Sequence, residues 1–437
     1  MKNRIDTLDQ NGLRGFISIW MVVFHALSMI ENPIDIAGES LMAMFFLLSG
    51  YALTIAYYCN FIDSSAKKDS ESSPLVEAPL EKVKKFSYSS FVLNRFLRII
   101  PIFYVTAALS LPTMYAGFGT CDPNDNTQLI ESYITNIIPS STWFLGYVGI
   151  AFDYPGWTIQ TLLGMWLMLP FIWEWLHPKS DSELLGWMCW CFWIQMFIII
   201  FVYYVLGLYL DDAVTAYLSY LHPFSRVWCL MMGVIAGILS LRHRNEENMP
   251  WFEDAHWFFP LKSTFLFSWC NFEYVPKSFN SQDFLDLLFS QTWVIVVITV
   301  AAIGADTIQR FVYGGNGIGL GVWFQAIVPF CQTNIIVAMT RHKHEENLIS
   351  RFLRTDFMQW LGDLSFCVYL IHFPIISFIL WWRYGFQTLE WTDDGAYTQA
   401  FIVPDLLFLY LPVLAVVAGA IIHYSIEKPF TSFKISA

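Results

Sequence analysis

The sequence predicts an all-α membrane protein, a polytopic transmembrane bundle of about ten helices with both termini in the cytoplasm. Hydrophobic residues make up 56% of the chain and charged residues only 14%, and the mean hydropathy is +0.48. This balance is typical of membrane proteins. Long apolar stretches recur along the 437 residues, and a helix needs about 20 such residues to cross a hydrocarbon core of roughly 30 Å.

Ten apolar stretches have the length of a membrane span and carry few charges. They recur too evenly for separate soluble domains joined by linkers, so we predict one transmembrane domain over residues 1–437. Two polar segments, at about 59–89 and 242–283, are predicted to be long cytoplasmic loops. The predicted spans are Gly12–Ile30, Gly38–Tyr58, Ser90–Leu111, Trp157–Trp175, Leu185–Leu210, Leu221–Leu239, Phe284–Ile303, Ile318–Ala338, Phe357–Trp382 and Phe401–Ile426.

The basic residues segregate to one side of these spans. With the N-terminus placed inside, only three of the 24 lysines and arginines fall outside, namely Arg226, Arg310 and Arg383. Short loops rich in Lys and Arg stay in the cytoplasm. The distribution therefore favours an even number of spans and two cytoplasmic termini.

Charge and cysteine content exclude several classes of function. The net charge of −12 comes from dispersed acidic residues, so no basic surface for nucleic acid is expected. Eight cysteines are present without a Cys-x-x-Cys pair, and most lie in apolar segments. We therefore predict neither a disulfide framework nor a metal site. The lipid bilayer is the expected environment of an integral, multi-pass protein.

His25 lies within the first predicted span, where an ionisable group costs at least ~2.5 kcal/mol on insertion scales. Arg14 precedes it by eleven residues, which places both side chains on one helix face about 16 Å apart along the axis. Two interpretations of this histidine are open. It is either a reactive group near mid-membrane or a structural residue that forms hydrogen bonds between helices.

Arg95 and Arg98 stand at positions i and i+3 near the start of the third predicted span. Two guanidinium groups on one helix face can bind phosphate oxygens in bidentate fashion. Alternatively, they act only as determinants of topology. A thioester donor such as acyl-CoA would suit the combination, because it carries phosphates at one end and a reactive acyl group at the other.

Seven blocks along the chain resemble the motifs of the acyltransferase 3 family, membrane-bound O-acyltransferases similar to bacterial polysaccharide O-acetylases. The resemblance includes the family's Arg-x10-His signature and its Arg-x-x-Arg motif, and the blocks occur in the family's order. They are Gly12 to Gly15 with Phe24-His25, Phe45 to Tyr51, Arg95 to Pro101, Trp157-Thr158-Ile159 with Pro170, Arg226 with Gly233, Leu361 to Pro374, and Ile426 to Phe430.

The resemblance implies transfer of an acyl group, commonly acetyl, from acyl-CoA to a hydroxyl on a carbohydrate, lipid or small molecule. It implies no permanently bound cofactor. His25 is implied as the general base, and Arg14, Arg95 and Arg98 as acyl-CoA-binding residues. Direct transfer and transfer through an acylated residue remain equally open.

Five further side chains are candidates for lining the cavity of His25. Ser49, Trp157 and Tyr369 are possible donors to the oxyanion that forms during acyl transfer. Ser365, Tyr369 and His372 form one polar stripe on the ninth span. This stripe either lines the cavity or joins neighbouring helices by hydrogen bonds.

Three acidic positions of the family pattern are occupied here by Asn11, Leu162 and Cys229. A catalytic histidine is normally oriented by a partner, so the missing carboxylates imply an altered acceptor, a substitute partner such as Glu39 or Asp153, or lost activity. The last case is the alternative of a catalytically inactive acyltransferase-like protein. A separate alternative is a membrane transporter, since many polytopic proteins place His and Arg along a pathway.

Overall fold

The structure is a computed structural model. It describes residues 5–27, 36, 38–70, 86–113, 143, 155–206, 209–210, 214, 217–242, 329, 332–333, 336, 339, 348–384 and 407–432. The regular secondary structure in this part of the chain is entirely helical, in agreement with the predicted all-α class. The position of Glu39's side chain and the whole of Asp153 fall outside the described residues.

The helices are numbered in chain order within the described residues. A π-helical turn at Tyr217–Leu221 precedes α6, and a second at His423–Glu427 joins α9 to α10. The helices are α1 (Leu8–Leu27), α2 (Gly38–Ser70), α3 (Tyr88–Thr113), α4 (Gly156–Leu176), α5 (Asp181–Tyr204), α6 (Pro223–Arg242), α7 (Leu348–Leu353), α8 (Asp356–Tyr384), α9 (Leu407–Ile422) and α10 (Lys428–Ser432).

Seven helical segments of the described residues are long and apolar enough to cross a membrane. The first predicted span corresponds to α1, which is not among them because its N-terminal half carries several polar residues, including Arg14. The predicted span Phe284–Ile303 and most of Ile318–Ala338 lie outside the described residues. The seven segments are Leu41–Ile62, Tyr88–Ser110, Gly156–Leu176, Glu183–Val202, Leu218–Arg242, Asp356–Ile376 and Leu409–Ser432.

The total of ten spans, the single domain and the cytoplasmic side of the termini stay predictions. One predicted boundary was wrong: α2 continues to Ser70, through the first part of the segment 59–89 that was assigned to a loop. No proline or glycine interrupts the chain between Cys59 and Ser70, so the backbone remains helical beyond the apolar residues. The segment 242–283 is described only at Arg242.

Two helix groups make up the bundle. In the first, α8 packs against α1, α9 and α3. In the second, α6 packs against α2, α5 and α4. Contacts between α1 and α2 and between α3 and α4 join the groups. The packing of α1 on α8 brings the first described helix of the chain against one of the last.

Glycines allow α1 and α8 to approach closely. A Cβ atom on Gly15 would lie 2.7 Å from the backbone nitrogen of Gly362. In the other direction, a Cβ on Gly362 would collide with the carbonyl oxygen of Asn11. Small residues let the backbones of membrane helices approach and gain packing contacts. The absence of side chains here sets the position of α1 on α8.

The contact between α2 and α6 uses the same device. A Cβ on Gly50 would collide with the carbonyl oxygen of Leu230, and one on Gly233 would collide with that of Leu47. Gly50 and Gly233 belong to two of the motif blocks identified in the sequence. Close packing of α2 on α6 therefore accounts for a glycine at each of these two motif positions.

Substituting Gly15→Ala or Gly362→Ala should separate α1 from α8 and destabilise the protein by about 1–3 kcal/mol, the usual cost of overpacking. The matched control is Gly186→Ala in α5, where an added Cβ meets nothing within 4 Å. Alanine there should be neutral or slightly stabilising, because glycine is unfavourable inside a helix. Thermal unfolding of the purified protein in detergent measures this, and equal midpoints for all three variants would contradict it.

Candidate active site

His25 on α1 faces His372 on α8. Their ring atoms Nδ1 of His25 and Nε2 of His372 lie 2.7 Å apart, and the rings stack with centroids 4.9 Å apart and planes inclined by 12°. His25 is 7% exposed and His372 is fully buried. His25 therefore points into the bundle, toward α8, and not toward lipid.

The hydrogen bonds of this pair indicate which nitrogens carry protons. Nδ1 of His372 contacts the carbonyl oxygen of Tyr369, which can only accept, so this nitrogen is the protonated one. Nε2 of a neutral His372 is then an acceptor, and His25 must donate from Nδ1. It follows that Nε2 is the basic nitrogen of a neutral His25. The contact with α8 thus sets the tautomer of a neutral His25.

Tyr369 extends the aromatic surroundings of the histidine pair. Its ring lies 5.7 Å from that of His372 and 5.5 Å from that of Phe45 on α2, centroid to centroid. Phe24 and Phe373 flank His25 itself, with centroids 5.1 and 6.3 Å from its ring. The imidazole of His25 thus lies in apolar surroundings where α1, α2 and α8 meet.

The other candidate cavity residues have described contacts of their own. Ser49 accepts a hydrogen bond from Nε1 of Trp166 at 2.8 Å. Trp157 packs against Phe46 and Tyr220. Neither contact involves His25 or His372. The hydroxyl of Ser365 donates a hydrogen bond to the carbonyl oxygen of Gly362 in the same helix at 2.7 Å. Its proton is therefore used within α8.

Arg95 and Arg98 line one cavity of about 190 Å³. Arg95 donates to the hydroxyl of Tyr57 at 2.9 Å and lies over that ring, 5.4 Å from its centroid. Arg14 interacts electrostatically with both arginines. The three predicted donor-binding residues therefore gather at one end of the bundle. The lining of this cavity is Asn94, Arg95, Leu97, Arg98, Asp363, His423, Glu427, Phe430 and Thr431.

A buried carboxylate, Glu427, occupies the wall of this cavity. Its Oε1 accepts from Nε of Arg98 at 3.0 Å. Its Oε2 lies 2.8 Å from Nδ1 of His423 and 3.2 Å from Sγ of Cys367. Glu427 is only 3% exposed, so these partners satisfy a charge that would otherwise be costly to bury.

Cys367, His423 and Glu427 also meet a geometric requirement for a metal site, since their ligand atoms all lie within 4.8 Å of one another. However, they are joined by direct hydrogen bonds at Oε2 of Glu427, and Oε1 is paired with Arg98. The expectation of no metal stays a prediction.

The positions that depart from the family pattern have local roles. Asn11 donates to Oδ1 of Asp363 at 3.2 Å, and Leu162 is buried in the apolar core. Cys229 donates to Oε1 of Gln195 at 3.2 Å. Beside it, the buried Arg226 donates to the Tyr220 carbonyl at 2.7 Å.

Asp9, the acidic residue nearest to Asn11 in the sequence, connects α1 to α7. It is buried and accepts from Oγ of Ser350 at 2.9 Å and from Nε of Arg354 at 2.7 Å. Arg354 also pairs with the partly exposed Asp6 at 2.9 Å. Asp9 therefore holds the start of α1 in place and does not orient His25.

The comparison with known families decides the identity of the chain. The family model Acyl_transf_3, described as an acyltransferase domain, matches residues 8–425. The chain belongs to the acyltransferase 3 family. Searches of curated proteins and of solved structures gave no match. The resemblance of the motif blocks is thus confirmed, and membership of this family indicates a membrane acyltransferase.

Family membership and the seven apolar helices together establish an integral, multi-pass membrane protein. Glu427 lies in the last of the motif blocks, Ile426 to Phe430, but no role was predicted for it. A sequence signal for Glu427 was present, because an ionisable residue within an apolar helix is a functional candidate by default. Its partners Arg98 and Cys367 lie far away in the sequence.

Asp9→Ala should destabilise the protein by about 1–3 kcal/mol, because it removes a buried carboxylate that accepts hydrogen bonds from Ser350 and Arg354. The matched control is Asp6→Ala, which removes the more exposed carboxylate from the same arginine and should cost no more than about 1 kcal/mol. Unfolding midpoints in detergent measure both effects. Equal losses for the two variants would show that burial of Asp9 does not matter.

Proposed function

We propose that this protein transfers an acyl group, most simply acetyl, from acyl-CoA to a hydroxyl group of a carbohydrate, lipid or small-molecule acceptor. The observation that carries the proposal is the His25–His372 pair, whose hydrogen bonds make Nε2 the acceptor nitrogen of a buried imidazole. The same helix, α1, carries Arg14 next to the cavity of Arg95 and Arg98.

Donor binding is assigned to the arginines. Acyl-CoA carries several phosphate charges, and guanidinium groups form strong, oriented hydrogen bonds with phosphate oxygens. Arg95 and Arg98 line a cavity of about 190 Å³, and Arg14 adds a third positive charge nearby. The acyl end of the donor would extend beyond this cavity, along α1, toward His25.

Chemistry is assigned to His25. Nε2 takes the proton of the acceptor hydroxyl while that oxygen attacks the thioester carbonyl. The tetrahedral intermediate collapses with cleavage of the carbon–sulfur bond, and the imidazolium returns the proton to the departing thiolate. The products are the acyl ester and free CoA. Tyr369 is the candidate oxyanion donor that lies beside the histidine pair.

His372 takes the place that a carboxylate holds in many catalytic triads. It accepts a hydrogen bond from Nδ1 of His25 and thereby orients the ring. The imidazolium that forms during the reaction keeps this hydrogen bond. A neutral partner suits an apolar site because it adds no second buried charge.

Purified protein incubated with radiolabelled acetyl-CoA and a membrane lipid or glycan extract should label an acceptor. His25→Ala should lower the rate of labelling by about 10²–10⁴-fold, the usual contribution of a general base, while acetyl-CoA binding is kept. Arg95→Ala and Arg98→Ala should instead raise the Kd for acetyl-CoA about tenfold or more, because each removes hydrogen bonds to a charged group.

The control for the arginines is Arg351→Ala, which removes an exposed guanidinium from α7 and should leave binding unchanged. Acetyl-CoA binding without transfer to any acceptor would favour the inactive alternative. Absence of acetyl-CoA binding in the wild-type protein would overturn the proposal and favour transport.

His372→Ala should lower kcat about 10²-fold with little change in the KM for acetyl-CoA, since the donor site is left intact. His372→Gln should recover part of the activity, because its amide oxygen can accept the hydrogen bond from His25. Steady-state kinetics on the three proteins measure this. If glutamine were no better than alanine, His372 would be only a packing residue.

A further inference from the structure

Arg98, one of the proposed donor-binding residues, is already paired. Its Nε lies 3.0 Å from Oε1 of Glu427, and the side chains of the two residues are 32% and 3% exposed. Bidentate binding of phosphate uses two neighbouring N–H groups of the guanidinium. A donor phosphate that binds the edge with Nε must therefore displace the Glu427 carboxylate from the same cation.

We infer that Glu427 is a specificity-determining residue of the donor site: its carboxylate holds Arg98 until the phosphate of the donor displaces it. This inference rests on the proposed function, since it assumes an anionic donor in the cavity that both residues line. Ligands without a strong anionic group cannot break the ion pair. The pair thus selects donors that carry phosphate.

Displacement leaves a buried carboxylate without its guanidinium, which is unfavourable unless another charge compensates. His423 and Cys367 still contact Oε2 of Glu427, at 2.8 and 3.2 Å, so the carboxylate keeps two partners when Arg98 turns to the donor. The ion pair that is lost nevertheless weakens donor binding.

The other charged and titratable groups around Glu427 come from three helices. They differ in their distance from the carboxylate and in their partners. They are Arg14 on α1, Arg95 and Arg98 on α3, and Asp363 and Cys367 on α8. Asp363 accepts a hydrogen bond from Asn11 at 3.2 Å. It offers a second carboxylate of the same cavity as a control.

Isothermal titration calorimetry with acetyl-CoA tests the inference. At pH 7.5 the phosphate groups of the ligand are nearly fully ionised, since a phosphate monoester titrates near about 6. Wild-type protein should bind acetyl-CoA at least about tenfold more tightly than S-acetylpantetheine, the same thioester without phosphate groups, because only a phosphate can displace Glu427 from Arg98. This arm needs no variant and so does not depend on the folding of one.

Glu427→Gln should bind acetyl-CoA about fivefold tighter or more, a typical coupling between two competing interactions. Asp363→Asn should gain less affinity. Equal binding of acetyl-CoA and S-acetylpantetheine by wild-type protein would overturn the inference alone. So would weaker or unchanged binding by Glu427→Gln, or an equal gain by Asp363→Asn. Absence of wild-type binding would overturn the proposed function together with this inference.

Discussion

The close contact of α1 with α8 is the constraint on which the candidate site depends. Gly15 and Gly362 let the two backbones approach without side chains between them. The same contact brings His25 against His372 farther along the helices. A hydrogen bond of 2.7 Å between rings on two helices tolerates little displacement. Helix packing at the glycines and the proton arrangement of the histidines are therefore one structural feature.

Buried charge is the second constraint. A charge removed from water is costly unless it is paired and hydrogen-bonded, and two carboxylates of this bundle show how that is done. Asp9 is held by Ser350 and Arg354. Glu427 is held by Arg98, His423 and Cys367. The first is a structural clamp. The second lies in the wall of a cavity, where a ligand can compete for the cation.

These two constraints separate the histidine pair from the charged cluster. His25 and His372 are surrounded by aromatic rings, and their contact needs no carboxylate. Arg95, Arg98 and Glu427 lie in a polar cavity at the end of the bundle where they interact electrostatically with Arg14. Such a division suits a long donor, because its phosphates require charged partners while its acyl end reacts in apolar surroundings.

The sequence by itself determined the helical class, the membrane character and the family, since these follow from apolar runs and from motifs that are local in the chain. It also identified His25 and Arg14 as one helix face, and Arg95 with Arg98 as another. Only the tertiary structure decided that His372 is hydrogen-bonded to His25 and that Glu427 forms an ion pair with Arg98. It also decided that Ser49 contacts Trp166 and that Trp157 packs on Phe46. The physical reason is that these contacts join residues of different helices, and periodicity along one helix carries no information about which face of another helix meets it.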